Sequence, residues 1–248
     1  QWIWLWMGDP ALANPDDIED FHWMDDPGWR AKGELMHLKG NYKLLVENLL
    51  DLSHLSFIHA TTLGTSAVAE TPMKFDRSDR HVTVTRWVMD STPPPFFEKA
   101  GGFAPDDQVD RWQHITWTPP AFVKLDVGAA KAGTGAIDGD RSQGFTMRNL
   151  NAITPETDNT THYFWAQAHN FRLDEAWLTD LLVANVHEAF LEDLEIIGLQ
   201  QENIDSGTTA PRVDINHDGG GLQAIRTLNA MIEAENDSVS GQTAQAAE

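Results

Sequence analysis

The sequence predicts an α+β domain in which a meandering antiparallel sheet packs against a few helices, one of them long. Between residues 81 and 171, segments rich in β-branched residues follow one another across short turns, as antiparallel strands do. Residues 174–203 carry their apolar side chains on one helical stripe. Of the 248 residues, 41% are apolar, which is enough for one large domain with a core.

The N-terminal part predicts one strand and one helix. Trp2, Trp4 and Trp6 alternate and place one aromatic face on a short strand. Residues 7–20 are rich in Gly, Pro, Asn and Asp and predict a connector, and a short mixed segment runs on to residue 40. Residues 43–55 contain good helix formers without Gly or Pro and predict a helix. Residues 61–72 are small and polar and predict a loop.

The remaining strands share β-branched residues in alternation, and we expect them at residues 81–89, 109–118, 121–127, 144–154 and 161–171. Proline and glycine predict a loop at 93–105, a break at 128–139 and a turn at 155–160. The long helix at 174–203 is followed by a loop and a short amphipathic helix near 222–233. The polar residues 236–248 predict a disordered tail.

The composition excludes two classes of partner. The chain carries 38 acidic and 17 basic residues, a formal net charge of −21, which repels nucleic acid and anionic lipid. This charge suits a basic protein partner or a salt-rich cell, or it simply keeps the protein in solution. No stretch reaches the roughly 20 apolar residues of a membrane helix, and no signal-peptide pattern is visible, so we expect a cytoplasmic protein.

The chain contains no cysteine. Disulfides, thiolate nucleophiles, Cys-ligated zinc and iron–sulfur clusters bound by this chain are therefore excluded. Any metal must be bound by histidine, carboxylate or other oxygen ligands, and ten histidines make such a site feasible.

The helix expected at 43–55 carries a polar arc. Its apolar residues are spread around nearly the whole circumference, as in a buried helix. Nevertheless, Glu47, Asn48, Asp51 and His54 fall together within roughly 120° of arc. Buried polar groups cost several kcal/mol unless they are paired or bind a ligand, so this arc is a candidate site.

His54 and His59 are candidate metal ligands. Being five residues apart, they would diverge by roughly 140° on an ideal helix. They can share one ion only if the helix loosens into a π-like turn or ends between them. Imidazole is the commonest metal ligand in proteins, but on spacing alone two core histidines with ordinary hydrogen-bond partners remain an open alternative.

A carboxylate on the long helix completes a candidate ligand set. Glu188, Glu192 and Glu195 form one acidic stripe, which predicts a solvated face. Asp193 lies instead on the apolar stripe that contains Phe190, where an uncompensated carboxylate is costly and a bound cation removes the cost.

Two imidazoles and one carboxylate, without thiolate, form the facial triad of non-haem Fe(II) sites, which leaves iron positions open for oxygen chemistry. Zinc is the alternative, since metalloproteases bind it with two His and a carboxylate. The usual zinc protease signature places two His at i and i+4 with a Glu between them. That pattern is absent here, so iron is favoured.

The segment NYKLLVENLLDLSHLSFIH, residues 41–59, resembles the mononuclear-iron motif of Rieske ring-hydroxylating oxygenases, in particular the oxygenase components of the vanillate O-demethylase and dicamba monooxygenase group. The motif Asn-x2-Asp-x2-His-x4-His is matched at Asn48, Asp51, His54 and His59. Supporting similarities lie at residues 4–10, 153–165 and 190–193, and the last of these supplies a third ligand, Asp193.

The resemblance implies a helix-grip domain of the START or Bet v 1 type, with the antiparallel sheet wrapped around a long C-terminal helix. It implies mononuclear Fe(II), O2 and a small aromatic substrate, with electrons from a reductase or ferredoxin delivered through a [2Fe–2S] Rieske cluster. The family is commonly a homotrimer in which each cluster serves the iron of the neighbouring subunit.

The resemblance also implies residue roles. Asn48 and Asp51 would be catalytic, with Asp51 bridging to a histidine of the neighbouring cluster. His162 and Gln113 lie where related enzymes contact the substrate carboxylate. From its position three residues before His54, the Asp51 carboxylate is further expected to accept the second N–H of that imidazole.

The Cys and His motif that binds the family's cluster is missing. Because the chain begins inside an expected strand, we expect residues 1–10 to be the end of a Rieske domain lost by truncation, rather than the cluster domain to lie on another chain. Residues 11–235 would be the catalytic domain. The leading function is oxidation of an aromatic acid by O-demethylation. Ring dihydroxylation, non-catalytic binding of an apolar ligand and zinc hydrolysis are the alternatives.

Overall fold

The computed structural model describes residues 2–59, 68, 70–78, 81–207 and 213–245, and for residues 238–245 it describes the backbone alone. The loop expected at 61–72 lies largely outside these residues.

A seven-stranded antiparallel sheet forms one layer of the domain, with the strands in the order β1-β7-β6-β5-β4-β3-β2. The strands are β1 (Arg30–Leu38), β2 (Lys74–Arg77), β3 (Val82–Ser91), β4 (Val109–Thr118), β5 (Phe122–Lys131), β6 (Gly144–Thr157) and β7 (Thr160–His169). From β3 to β7 each strand pairs with the next in sequence, which confirms the predicted meander.

Helices cover one face of this sheet. They are α1 (Tyr42–Leu50), α2 (Pro95–Gly101), α3 (Ala176–Asp205) and α4 (Gly219–Gln245). The long helix α3 packs along β1 and β7, and α1 packs between α3 and α4. The side chains enclosed between sheet and helices form the main core, which includes Leu45, Trp165, Phe190 and Ile197. The sheet wraps a long helix, so the helix-grip prediction is confirmed.

The predicted break at 128–139 is wrong at its start, because β5 continues to Lys131. Position 128 requires glycine because neighbouring groups of the sheet pack closely against it. A Cβ atom at this position would lie 2.2 Å from the Phe145 carbonyl oxygen and 2.3 Å from the Trp112 ring. Glycine in this strand therefore marks a close approach of neighbouring chains and not a turn.

The predicted strand at Trp2–Trp6 is also wrong, since this segment makes no sheet pairing in the described part of the chain. Trp2 instead packs its ring 6.1 Å from Phe164, and Trp4 packs 5.4 Å from Phe122, on the sheet face away from the helices. Alternating aromatic residues can cover a sheet face by side-chain contact alone, without backbone pairing.

The strands β1 and β2 and the helix α2 were not predicted.

The C-terminal segment is more regular than predicted. The short helix expected near 222–233 extends as α4 from Gly219 to Gln245, so most of the residues expected to be disordered, 236–248, are helical. This segment lacks proline and contains Ala and Gln, which continue a helix at little cost. Within the described ranges, none of the helices combines the length and apolar character needed to cross a bilayer.

Candidate metal centre

The two histidines lie beyond the end of α1. The helix ends at Leu50, five residues before the predicted end, and Asp51 adopts an extended conformation. The Asp51 carboxylate accepts the Ser53 amide N–H at 2.7 Å, which turns the chain. A short 3-10 segment then spans His54–Ser56. Because the helix stops early, the roughly 140° divergence expected on an ideal helix does not apply.

A buried arginine of the sheet anchors this turn. Arg86 on β3 is 2% exposed, and its Nη1 donates a hydrogen bond to the Leu52 carbonyl oxygen at 3.0 Å. The side chains of Leu52 and Leu55 are buried beside it in the core. The segment that carries His54 is therefore held against the sheet by one charged hydrogen bond and by apolar packing.

His54, His59 and Asp193 come together in a buried cluster. Their ligand atoms all lie within 4.8 Å of one another, and it is the one such His and carboxylate group among the described residues. The distance to Asp193 Oδ1 is 3.6 Å from His54 Nε2 and 3.2 Å from His59 Nε2. Asp193 is 3% exposed and His59 is 2% exposed. The predicted ligand residues are thus adjacent.

The other ring nitrogens are held by acceptors on the protein. His54 Nδ1 donates to the backbone carbonyl oxygen of Asp51, and His59 Nδ1 donates to Glu192 Oε2 at 2.6 Å. With the proton on Nδ1, the lone pair of each Nε2 faces Asp193, which is the tautomer a metal ligand needs. The Asp51 backbone carbonyl therefore orients His54, the role that was predicted for the Asp51 carboxylate. The carboxylate instead accepts the Ser53 N–H.

Glu192 is not part of a solvated stripe, contrary to the prediction. Glu188 and Glu195 are exposed, but the Glu192 side chain is 34% exposed and contacts His59. A helical wheel sorts residues by their position on one helix only. It contains no information about the turn after α1, which brings His59 to the edge of the acidic stripe.

Asn48 connects the two ligand-bearing segments. Its Nδ2 donates to Asp193 Oδ1 at 3.1 Å, so the last turn of α1 orients the carboxylate of α3. The Asn48 Oδ1 atom is buried and makes no hydrogen bond within the described part of the chain. Three groups of the predicted motif thus converge on one carboxylate oxygen.

The two imidazoles differ in basicity. Burial lowers the pKa of His54 and outweighs the raising effect of the Asp193 charge. Burial also acts to lower the pKa of His59, but its hydrogen bond and charge interaction with Asp193, followed by those with Glu192, raise the pKa above the ordinary value. Without a metal, His59 is therefore the imidazole that holds a proton more strongly.

The arrangement fits a metal ion of the facial-triad type. Two ligand atoms each about 2.1 Å from an ion and at right angles lie about 3 Å apart, and the 3.2 Å between His59 Nε2 and Asp193 Oδ1 is close to this value. The donor set, two neutral imidazoles and one carboxylate, is the set that binds non-haem Fe(II).

An apolar cavity of about 130 Å³ opens beside the cluster. An apolar protein cavity of roughly 150 Å³ accommodates a benzene ring, so the space suits one aromatic ring. Three groups of residues line it. The ligand residues are His54, His59 and Asp193, the polar wall residues are Arg111, Gln113, Asn149 and Gln167, and the apolar wall includes Leu49, Phe97, Ile115, Met147, Val186 and Phe190.

The two predicted substrate contacts have different positions. Gln113 lies in the cavity wall. His162 does not, which corrects its assignment: its ring centroid lies 5.5 Å from that of His37, and its Nε2 lies 3.6 Å from Glu156. Side chains alternate along β7, and Tyr163 is the neighbour that faces the core. On the same strand it is Gln167 that reaches the cavity.

Arg111, Asn149, Gln167 and Glu192 were missed from the sequence. The first three occupy inward-facing positions of predicted strands, where buried side chains are normally apolar. A polar residue on the apolar face of a strand was therefore an available signal. No signal for Glu192 exists in the sequence, because its partner belongs to a segment 133 residues away.

Several known proteins are similar to this chain in sequence or in structure. The iron–sulfur subunit of the toluene-4-sulfonate monooxygenase system of Comamonas testosteroni is 40% identical over 238 residues, which are 94% of this chain and 68% of that protein. A vanillate O-demethylase oxygenase subunit of Pseudomonas sp. strain HR199 is 34% identical over 95% of this chain and 67% of its own length. The crystal structure of dicamba monooxygenase bound to dicamba matches with a TM-score of 0.82 at 27% identity, over 94% of this chain and 67% of that chain.

These similarities, together with the helix-grip fold and the His and Asp cluster, assign the chain to the catalytic domains of Rieske-type non-haem iron oxygenases. Residues 38–234 match the family described as the vanillate O-demethylase oxygenase C-terminal domain, and the chain belongs to that family.

We predict that His54→Ala, His59→Ala and Asp193→Ala each lose most of the bound Fe(II), because each removes one of three ligands. Glu192→Ala should weaken metal affinity by about 10–100-fold, the usual effect of removing a group that orients a ligand imidazole. Glu188→Ala, one turn earlier and exposed, is the matched control. Metal content and Fe(II) titration check this, and equal affinity of the Glu192 and Glu188 variants would show that the Glu192 contact has no effect.

We predict that Fe(II) affinity falls as the pH decreases through the raised pKa of His59, because the metal must displace the proton held there. The stability of the metal-free fold depends on pH in the opposite direction. The paired, protonated His59 stabilises the metal-free fold below the unfolded pKa, about 6.5, and this contribution is lost as the pH rises through the folded pKa.

Calorimetric Fe(II) titrations in buffers of different ionisation enthalpy count the released protons. Glu192→Gln removes one charge that raises the pKa of His59, so its affinity should decline at a lower pH than in the wild type. Identical pH profiles for the wild type and Glu192→Gln would contradict this assignment.

Proposed function

We propose that this chain activates O2 at a mononuclear Fe(II) held by His54, His59 and Asp193, and that it O-demethylates a small aromatic acid. One observation carries the proposal: the His and Asp cluster lines a largely apolar cavity of the size of one aromatic ring. Relatives named for toluene-4-sulfonate, vanillate and dicamba act on single aromatic rings that carry an acid group.

The chain's own residues position the reactants. Iron, when bound, supplies the O2 activation that no side chain can provide. His54, His59 and Asp193 would hold the ion, and all three line the cavity. The apolar wall, with Leu49, Ile115 and Phe190, excludes water from the oxidised carbon. Hydroxylation of a methoxy group by one oxygen atom gives a hemiacetal that releases formaldehyde and a phenol, and the second oxygen atom leaves as water with two electrons and two protons.

Those electrons must come from outside this chain. A Rieske cluster needs two cysteine ligands, and the chain contains none. We therefore include in the proposal a [2Fe–2S] cluster domain, a reductase or ferredoxin partner, a homotrimeric assembly and a cytoplasmic location. The name of one relative, an iron–sulfur subunit that extends beyond the matched region, supports the cluster.

We predict that the iron-loaded chain forms no product from 4-methoxybenzoate with NADH and a reductase, because it has no centre that accepts electrons. Hydrogen peroxide supplies both oxygen and electrons and should yield formaldehyde and 4-hydroxybenzoate, and Asp193→Ala should abolish this yield. Product with NADH and reductase alone would contradict the electron-supply proposal. A ring diol without formaldehyde would identify a dihydroxylase, and binding without any product would favour a non-catalytic protein.

Asp51 is proposed to transfer electrons between subunits. Its Oδ1 accepts the Ser53 N–H, and its side chain is half-buried, so we propose that its Oδ2 meets a cluster-ligating histidine of a neighbouring subunit. Asp51→Asn is a clean variant, because the amide oxygen can still accept the Ser53 N–H and the backbone carbonyl still orients His54.

In a complex that includes the cluster domain, Asp51→Asn should keep both the iron and the reducible cluster, but product in a single turnover with pre-reduced cluster should fall to near background. Near-normal product would refute the bridge. Loss of iron in proportion to activity would show instead that Asp51 serves only to shape the metal site.

A further inference from the structure

His37, Glu156 and His162 form a second cluster of metal-binding side chains, on the sheet face away from the helices. His37 lies on β1 and His162 on β7, and the two residues are direct partners in the antiparallel ladder. Side chains of such partners share one face of a sheet, with Cβ atoms about 4.5–5.5 Å apart. The two imidazole centroids lie 5.5 Å apart. Backbone pairing therefore holds two imidazoles side by side.

The third group comes from the end of β6. The register between β6 and β7 shifts between Pro155 and Thr157, and an irregularity of this kind re-aims the side chain that it contains. Glu156 lies within it, and its carboxylate reaches both imidazoles. Its Oε2 lies 2.7 Å from His37 Nε2, and its Oε1 lies 3.6 Å from His162 Nε2. Side chains from three strands thus meet at one carboxylate.

A hydrogen bond accounts for only part of this arrangement. The 2.7 Å contact of His37 with the carboxylate is a normal hydrogen bond. The 3.6 Å contact of His162 is too long for one, so this ring approaches the carboxylate without a hydrogen bond to it. An exposed ion pair contributes little stability and needs one imidazole, not two. A cation between the three groups accepts a lone pair from each of them.

The donor set and the spacing suit a zinc-type cation. Two imidazoles and one carboxylate bind Zn²⁺ at about 2.0–2.2 Å, with ligand atoms roughly 3–3.5 Å apart, and leave a position for water. The nitrogen–oxygen distances of 2.7 and 3.6 Å bracket this range. The cluster is more widely spaced than the buried one. Because its three side chains are between 39% and 48% exposed, they can rotate to close around an ion.

We propose that His37, Glu156 and His162 form a surface site for Zn²⁺ or a similar first-row divalent cation, separate from the buried centre. Such cations bind imidazole, whereas Mg²⁺ and Ca²⁺ prefer oxygen ligands. β1 is an edge strand of the sheet, so the bound ion joins this edge to β7 and β6. The site does not depend on the proposed oxygenase function.

Modification of histidines with diethyl pyrocarbonate, read by peptide mass spectrometry, locates the ion. Zn²⁺ should protect His37 and His162 of the wild type, because the metal takes the ring lone pair that reacts. His187 is the matched control, since it is 39% exposed and its Nδ1 lies 2.5 Å from the Glu34 carboxylate, as in a simple imidazole–carboxylate pair. It should react equally fast with and without Zn²⁺.

Calorimetric Zn²⁺ titration measures the same site in variants. The buried centre can also take Zn²⁺, so the surface site is identified by the binding event that changes between variants. His37→Ala and Glu156→Gln should each weaken that event by more than about 10-fold, since loss of a group that only orients a ligand already has this effect. The other event should stay unchanged. His187→Ala should leave both events as in the wild type.

The proposal is overturned if Zn²⁺ leaves His37 or His162 as reactive as before, if it protects His187 to the same degree, or if the Glu156→Gln and His187→Ala variants bind Zn²⁺ equally. Equal protection by Mg²⁺ at the same concentration would also overturn it, because general ionic shielding would then explain the effect. If thermal unfolding shows that His37→Ala is destabilised, Glu156→Gln decides, since the amide keeps the shape of the carboxylate and removes its charge.

Discussion

The burial of the Asp193 carboxylate on the apolar face of α3 is the constraint to which the rest of the site responds. A carboxylate that is 3% exposed cannot remain charged without partners, since its transfer from water costs many kcal/mol. In the metal-free chain Asn48 and protonated His59 supply these partners, and His54 lies beside them. To do so, α1 must end at Leu50, and the chain that follows must turn back toward α3. The turn after α1 is held by the Asp51 carboxylate and by Arg86 of the sheet. Accommodating the buried charge of Asp193 thus connects α1, α3 and β3.

The two histidines are oriented by chemically different groups. A neutral backbone carbonyl holds His54, whereas the charged Glu192 holds His59. A carboxylate that accepts an imidazole N–H increases the basicity of the opposite nitrogen, so His59 would be the stronger donor to a bound metal ion, and it is also the imidazole at which a metal ion would compete with a proton. Burial lowers the pKa of both imidazoles, and for His59 the interactions with Asp193, followed by those with Glu192, outweigh it and raise the pKa.

The charge of the whole chain and the charge of its cavity have opposite signs. A net charge of −21 repels an aromatic acid at long range, but salt screens exposed charges beyond about 8 Å at physiological ionic strength. Inside the cavity the low dielectric strengthens the local field of Arg111 and Arg86. The field inside the cavity therefore depends on a few buried groups, while the acidic surface faces other macromolecules.

The sequence by itself determined the fold class, the meander from β3 to β7, the long helix and the three residues His54, His59 and Asp193 that cluster in the structure. Each of these depends on local periodicity or on a contiguous motif, and the apolar stripe of α3 already showed that Asp193 needed a partner. The tertiary structure alone decided the pairing of Glu192 with His59, the carbonyl that holds His54, the outward position of His162 and the place of Arg111 in the cavity. A wheel or an alternation pattern gives the face on which a side chain lies, but not what covers that face. The pairing of Glu192 with His59 joins residues 133 positions apart, and the carbonyl that holds His54 becomes available only because α1 ends at Leu50.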